Sequence, residues 1–552
     1  MSLEKSSGGF RSRSAKGEQK KDPVRKSGSD SARSEGRGQG RGEGRGAERS
    51  GAQGGGRSGG SRGGRPTGQN RGGRSAGQGR AKPAVQRRGD DQSFGSRPDR
   101  NTRGEVRELR GLGVDKPREI AFEVLDRVRT GEAYANLVLP RLLTKQKMDS
   151  RDAAFATEIT YGTLRNQGLL DTVIESAANR RLEDIDPEIL DVLRIGAYQV
   201  LFTRVEDHAA VDTTVKMVGG LKKFQATGFS NAVMRNITRT SPEEWLRKLE
   251  PEEEIARVAF RTAHPEWIAQ SFSRLLPAEE LEAALEADSQ RPLVHLVARP
   301  GEISAEELAL ITGGEEGRYS PYAVYLEGGD PGDIDPVQQG LAAVQDEGSQ
   351  LIARALVEAP VAGEDQGRWL DLCAGPGGKA ALIGALARMD NARVDAVEVS
   401  DHRAKLVQRS VRDLPVKVHV GDGRTLKLDD GYDRVIVDAP CTGLGALRRR
   451  PEARWRKQES DIAQLNTLQY ELLEAAVKRA RSGGVIIYST CSPDLRETRG
   501  IVDRALENLS IEELDASEYV PGMGDTGEGK SVQMWPHRHG TDAMFVSVLR
   551  KK

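Results

Sequence analysis

Apolar positions over residues 115–240 recur with the period of a helix. Ala121, Val124, Leu125 and Val128 fall at i, i+3, i+4 and i+7, on one helix face. Asp186-Pro187 marks a helix start, because aspartate can cap free N–H groups and proline suits the first helical position. Ile189, Val192, Leu193, Ala197 and Val200 continue from it as an apolar stripe. Breaks are expected at residues 205–208 and 229–231. The segment reads as a small all-helical domain. Residues 241–290 are acidic and helix-prone, punctuated by Pro251, Pro265 and Pro277. Short apolar runs at 293–298 and 322–326 read as strands. Residues 241–345 are therefore expected to form a linking helical segment and a small mixed subdomain.

Over residues 346–552 the pattern alternates. Strands are expected at 369–372, 394–399, 416–420, 434–438, 485–489 and 544–549. Helices are expected at 379–389, 402–413, 460–481 and 498–506. Such alternation predicts an α/β doubly wound, Rossmann-like domain with a parallel sheet. In such sheets ligands sit outside the carboxyl ends of the strands. Gly375, Glu398, Asp422, Asp438 and Cys491 all fall at those ends.

Charge changes the picture at the start of the chain. The 552 residues balance 83 Lys+Arg against 83 Asp+Glu, but residues 1–110 hold 27 and 12 of these, a net of +15 that leaves −15 on the rest. The same stretch has 26 of the 63 glycines, and its only aromatics are Phe10 and Phe94. It cannot bury enough apolar surface to offset the entropy of ordering, so residues 1–114 are expected to be a disordered Arg/Gly-rich tail. Arg62-Gly63-Gly64-Arg65 and Arg71-Gly72-Gly73-Arg74 suit loose electrostatic attachment to nucleic acid. A solubilising tail with no specific partner is the other reading. Three cysteines exclude a disulfide framework, and none lies in a C-x-x-C pair, so no metal is expected. No apolar run has membrane-spanning length and the N-terminus lacks an apolar signal core. The chain reads as cytoplasmic.

Two features of the alternating region carry chemistry. Gly375-Pro376-Gly377-Gly378 lets backbone N–H groups approach a ligand, and Glu398 follows at the end of the next strand, where an acid can accept from both ribose hydroxyls. NAD-binding domains share this geometry, but G-x-G-x-x-G spacing is absent and Pro376 interrupts it. Asp422, in Gly421-Asp422-Gly423, could accept from an adenine amino group or simply make a turn. The second feature is a pair of thiols, Cys441 in Asp438-Ala439-Pro440-Cys441 and Cys491 in Ser489-Thr490-Cys491-Ser492, each just past a strand end. A free thiol is mostly protonated near neutral pH, so one must be activated to attack a substrate. Cys373, mid-turn among small residues, reads as a core residue.

These phrases carry a resemblance. Residues 371–379, 438–441, 489–492 and 536–542 resemble the Nop/Sun family of RNA 5-methylcytosine methyltransferases, and the likeness covers the block from 345 to 552. Residues 115–240 resemble the RNA-binding NusB-like domain, and this pairing is similar to bacterial enzymes that act on 16S ribosomal RNA. The resemblance implies S-adenosylmethionine as cofactor. It implies that Cys491 attacks C6 of cytosine, that Cys441 assists removal of the C5 proton and product release, and that Asp438 bonds the base edge and helps place the cofactor. It also implies that Cys373, Ala374, Gly375, Pro376, Gly377, Gly378 and Lys379 line the cofactor. Glu398 would take the ribose hydroxyls, Arg403 would support that side, and Asp422 would read the adenine. Gly375 and Glu398 stand where alanine and aspartate are common. The residues alone leave the two thiol roles open, since DNA cytosine methyltransferases attack from a Pro-Cys thiol.

Arg448, Arg449, Arg450, Arg454 and Trp455 follow Cys441 and concentrate cations with one aromatic. They are expected to contact phosphates and stack a base. The expected partner is 16S ribosomal RNA or a small-subunit precursor, with the chain a monomer. A transfer-RNA cytosine methyltransferase and a non-catalytic RNA-binding assembly factor are the alternatives.

Overall fold

A computed structural model describes residues 109–131 and 133–552. The tail expected over 1–114 lies outside the described residues as far as 108. Its last six residues belong to the fold, which corrects that boundary. Leu112 is buried in the helical core, its N–H donates to Glu119 Oε1 at 2.6 Å, and Arg110 bonds Glu188 and Asp126. Leu109 and Val114 pack against the same core.

Seven helices form the first domain: Lys116–Arg129, Ala135–Gln146, Ser150–Arg165, Gln167–Ala178, Pro187–Phe202, Asp207–Gly220 and Thr227–Thr238. Asp115 and Asp186 cap the first and fifth, accepting from backbone N–H groups as their side chains allow. The expected stripe is realised, with Val124, Leu125, Val192 and Leu193 in one core. The break expected at 229–231 is instead helical, because Ser230 and Val233 turn inward together. Four short helices, Pro242–Leu249, Glu254–Arg261, Glu266–Ser273 and Ala278–Ser289, lead onward. They reach a small antiparallel sheet of β1 (Val294–Ala298), β2 (Glu315–Glu316), β3 (Ala323–Leu326) and β4 (Ala342–Val344), in the order β2-β3-β1-β4.

The large sheet holds β5 (Arg368–Asp371), β6 (Arg393–Glu398), β7 (Val416–Val420), β8 (Tyr432–Asp438), β9 (Ala480–Thr490), β10 (Ile511–Leu514), β11 (Val532–Gln533) and β12 (Phe545–Lys551). Its order is β10-β12-β9-β8-β5-β6-β7, with β11 beside β12. Strands β7 through β9 are parallel, as expected of a doubly wound sheet. The other edge departs from that expectation, since β12 runs antiparallel to β9, β10 and β11. Parallel neighbours need a long crossover, and only the short helix Pro536–His539 separates β11 from β12. Alternation divides the core between two faces. Trp369, Ile436, Val485 and Ile487 pack on one side with Leu351 and Leu382, while Leu370, Val435, Val437 and Ile486 pack on the other with Leu472 and Leu473. Helices thus cover both faces, which leaves the strand ends as the place where polar side chains gather. Among the described residues no helix is long and apolar enough to cross a membrane.

Candidate active site

Register brings the chemistry-bearing residues side by side. Asp371 lies opposite Ala396 and Ile436, and Asp438 opposite Ser489, so the carboxyl ends of β5, β6, β8 and β9 open on one crevice. The turn after β5 leads through Gly377, at φ 117°, into the helix Gly378–Met389. Gly375 has no room for a side chain. A Cβ there would lie 2.0 Å from Glu398 Oε2. Glu398 is buried; its Oε1 accepts from Ser400 N–H at 2.8 Å and its Oε2 faces Arg403 Nη2 at 3.4 Å. The longer acid therefore occupies the volume that an alanine at 375 would claim. Asp371 is buried too. Its Oδ1 accepts from Cys373 N–H at 3.2 Å, whereas Oδ2 is buried without a protein partner. Burial, aided by Asp438, pushes this carboxyl up to about 7. Burial likewise pushes the Cys373 thiol well above its usual range. A Cβ-free turn, a buried ribose-type acid and an orphaned carboxylate oxygen fit S-adenosylmethionine. Asp422 stands past the end of β7, but its carboxylate is taken by Arg424, through the backbone N–H at 2.9 Å, Nε at 3.0 Å and Nη2 at 2.5 Å. Arg424 bonds Glu471 as well.

On the other wall, Cys441 Sγ and Cys491 Sγ are 3.4 Å apart. The hydrogen bond with Cys441 holds the Cys491 thiol below its usual range, against burial and Asp438, with Lys379 and Arg450 assisting. The same hydrogen bond, then burial, raises Cys441 well above it. The shared hydrogen bond thus makes Cys491 the easier of the two thiols to ionise and Cys441 the harder. Lys379 Nζ donates to Asp438 Oδ2 at 2.9 Å and Ser489 Oγ donates to Asp438 Oδ1 at 3.0 Å. Burial works against the Lys379 ammonium, but Asp438 outweighs it and the net shift is upward.

Behind the thiols lies a residue that sequence reasoning passed over. Glu497 is buried and accepts from Thr442 N–H at 2.9 Å, the Thr442 hydroxyl, the Ser492 hydroxyl at 2.7 Å and Gln469 Nε2 at 3.0 Å. No local signal marks it, because its partners lie as far as 55 residues away.

The segment expected to bind RNA is mostly internal, which corrects that expectation for four of its five residues. Arg448 donates to Asp542 at 2.7 Å and Asp346 at 3.2 Å. Arg449 reaches the same two carboxylates at 2.9 and 2.8 Å. Arg454 is fully buried and donates to the carbonyls of Arg165, Ala263 and Asp288. The Trp455 indole N–H donates to Leu164 O at 3.2 Å, and its ring covers Gly168, where a Cβ would meet it at 2.2 Å. Arg454 and Trp455 clamp the helical domain to the sheet domain, while Arg448 and Arg449 brace the sheet domain internally through Asp346 and Asp542. Arg450 differs: it is exposed, with its guanidinium over the Tyr134 ring at 5.2 Å.

Residues 354–550 match a family described as 16S rRNA methyltransferase RsmB/F, and residues 115–239 match the NusB family. A Mycobacterium tuberculosis protein named only as a methyltransferase, Rv1407, is 55% identical over 444 residues, covering 79% of this chain and 97% of that one. The ribosomal RNA small subunit methyltransferase B of Cronobacter sakazakii is 32% identical over 447 residues, covering 79% of this chain and 98% of that one. Among solved structures, PH0851 superposes with a TM-score of 0.68 at 22% identity, over 79% of this chain and 99% of that one, a likeness of fold alone.

Proposed function

The chain belongs to the 16S rRNA methyltransferase RsmB/F family, whose members use S-adenosylmethionine, and from that premise we propose that it methylates C5 of a cytosine in 16S ribosomal RNA through a bond between Cys491 and C6. The observation that carries this reading is the pair of sulfurs 3.4 Å apart, whose hydrogen bond lowers Cys491 and raises Cys441. C5 of cytosine is a poor nucleophile until an adduct at C6 breaks the aromatic system. The Cys491 thiolate forms that S–C6 bond, and the C5=C6 electron pair becomes available at C5. Bound S-adenosylmethionine supplies an electrophilic methyl group, with Asp371, Gly375, Lys379 and Glu398 as its proposed holders. Asp438, fixed by Lys379 and Ser489, offers its carboxylate to the base edge.

Bonding Cys491 to carbon removes the thiolate to which Cys441 donated. The chief cause of the raised Cys441 pKa goes with it, so Cys441 can release its proton to solvent water and, as a thiolate, take the one on C5. The electrons of that C–H bond restore C5=C6 and expel Cys491 as a thiolate. The target must be unstacked for both ring carbons to be reached, so single-stranded or flipped RNA is the substrate form. The test is Cys441→Ala incubated with a 16S rRNA transcript and S-adenosylmethionine. An RNA–protein adduct that survives a denaturing gel is expected, and normal turnover without adduct would remove Cys441 from the chemistry.

A further inference from the structure

Thr442 and Ser492 each directly follow one of the two cysteines, and both donate to the same buried carboxylate, Glu497. Gln469, which also donates to Glu497, bonds Pro440 O at 2.9 Å on the other side of Cys441. The Thr442 and Ser492 hydroxyls are 3.1 Å from each other. Tyr488 in β9 closes the arrangement, its hydroxyl donating to Glu497 O at 2.7 Å. All four donors to the carboxylate are neutral groups, so the charge does not serve an ion pair. A carboxylate suits the place because it only accepts, and donors converge on it from two loops.

We propose that Glu497 is a positioning residue: it ties the loop after β8 to the loop after β9 and so sets the distance between the Cys441 and Cys491 sulfurs. The inference rests on the reading of Cys491 as nucleophile. Glu497→Gln in the full-length chain turns an NH2 toward converging donors, which forces the loops apart. Charge and placement then act in opposite directions. Losing the negative charge alone lowers Cys441, which Glu497 helps hold up. Losing the placement raises Cys491, whose chief support is the Cys441 hydrogen bond.

The experiment measures alkylation of Cys491 by iodoacetamide against pH, with the peptide followed by mass spectrometry. The midpoint is expected to rise by about one pH unit, the scale of a charge-assisted hydrogen bond. Single-turnover methyl transfer is expected to fall roughly hundredfold, with S-adenosylmethionine affinity unchanged. Thr442→Val, which deletes one hydroxyl donor, is expected to move both readouts the same way by less, and Thr442→Ser to move neither. That pair carries the test if Glu497→Gln does not fold. A midpoint that stays or falls in both Glu497→Gln and Thr442→Val overturns the inference. Alkylation needs no RNA, so a raised midpoint in a protein whose wild type never methylates cytosine would defeat the catalytic reading and support the positioning one.

Discussion

The two walls of the crevice are built on different principles. The cofactor wall is nearly continuous: β5, a glycine turn and a helix start follow one another, and only Glu398 is added from β6. The thiol wall is assembled across 50 residues of chain, from loops after β8 and β9 that Glu497, in the second of them, draws together. The first wall therefore depends mainly on neighbouring residues and is intolerant of an added atom at Gly375. The second accepts local changes poorly at a distance, because groups that never meet the substrate set the sulfur separation.

Substitutions can break this contrast or sharpen it. The largest effect is expected from Cys491→Ala, which should lower methyl transfer roughly 10⁴-fold or more while S-adenosylmethionine binding, measured by calorimetry, stays intact. Loss of cofactor affinity in that variant would mean that the walls are not separable. Next comes the clamp between the domains. Arg454→Met leaves the carbonyls of Arg165, Ala263 and Asp288 without their donor, and should cost about 3 kcal/mol in denaturant unfolding. Gly375→Ala and Glu398→Asp should each weaken S-adenosylmethionine binding roughly tenfold, and the double variant by less than the product, because the Cβ and the longer acid compete for one volume. Strict additivity would show that they do not. The smallest effect is expected at Arg450→Ala: about a threefold loss of RNA affinity and a salt-dependence slope reduced by about one. A destabilised protein instead would place Arg450 with Arg454 as a structural residue.

How far each part could be read from the chain follows from how far apart its causes lie. The strands from β5 to β9 and the capped helix at Asp186 rest on neighbouring residues, through hydrophobic period and capping. They stand where the pattern put them, within a few residues. The run from Arg448 to Trp455 shows the opposite case. Its composition suits RNA equally with burial, and what separates the two outcomes is the presence of Asp346, Asp542 and three backbone carbonyls from elsewhere in the chain. Arg450, two positions along from Arg448, has its guanidinium over Tyr134 and remains exposed. The antiparallel edge at β12 escaped for a related reason, since strand direction depends on the length of the connection and not on the strand's own residues.

The amino acids by themselves determined which functional groups the molecule owns and which short stretches become strand, turn or helix, because backbone geometry and apolar periodicity act over a few positions. Tertiary structure alone decided that two thiols share a hydrogen bond, that a glycine makes way for a glutamate, and that four of five expected RNA contacts turn inward, two of them, Arg454 and Trp455, holding domains together. Those outcomes depend on distances between atoms remote in the chain, and hydrogen bonds and charge interactions are too short-ranged to exist until the fold has closed those distances.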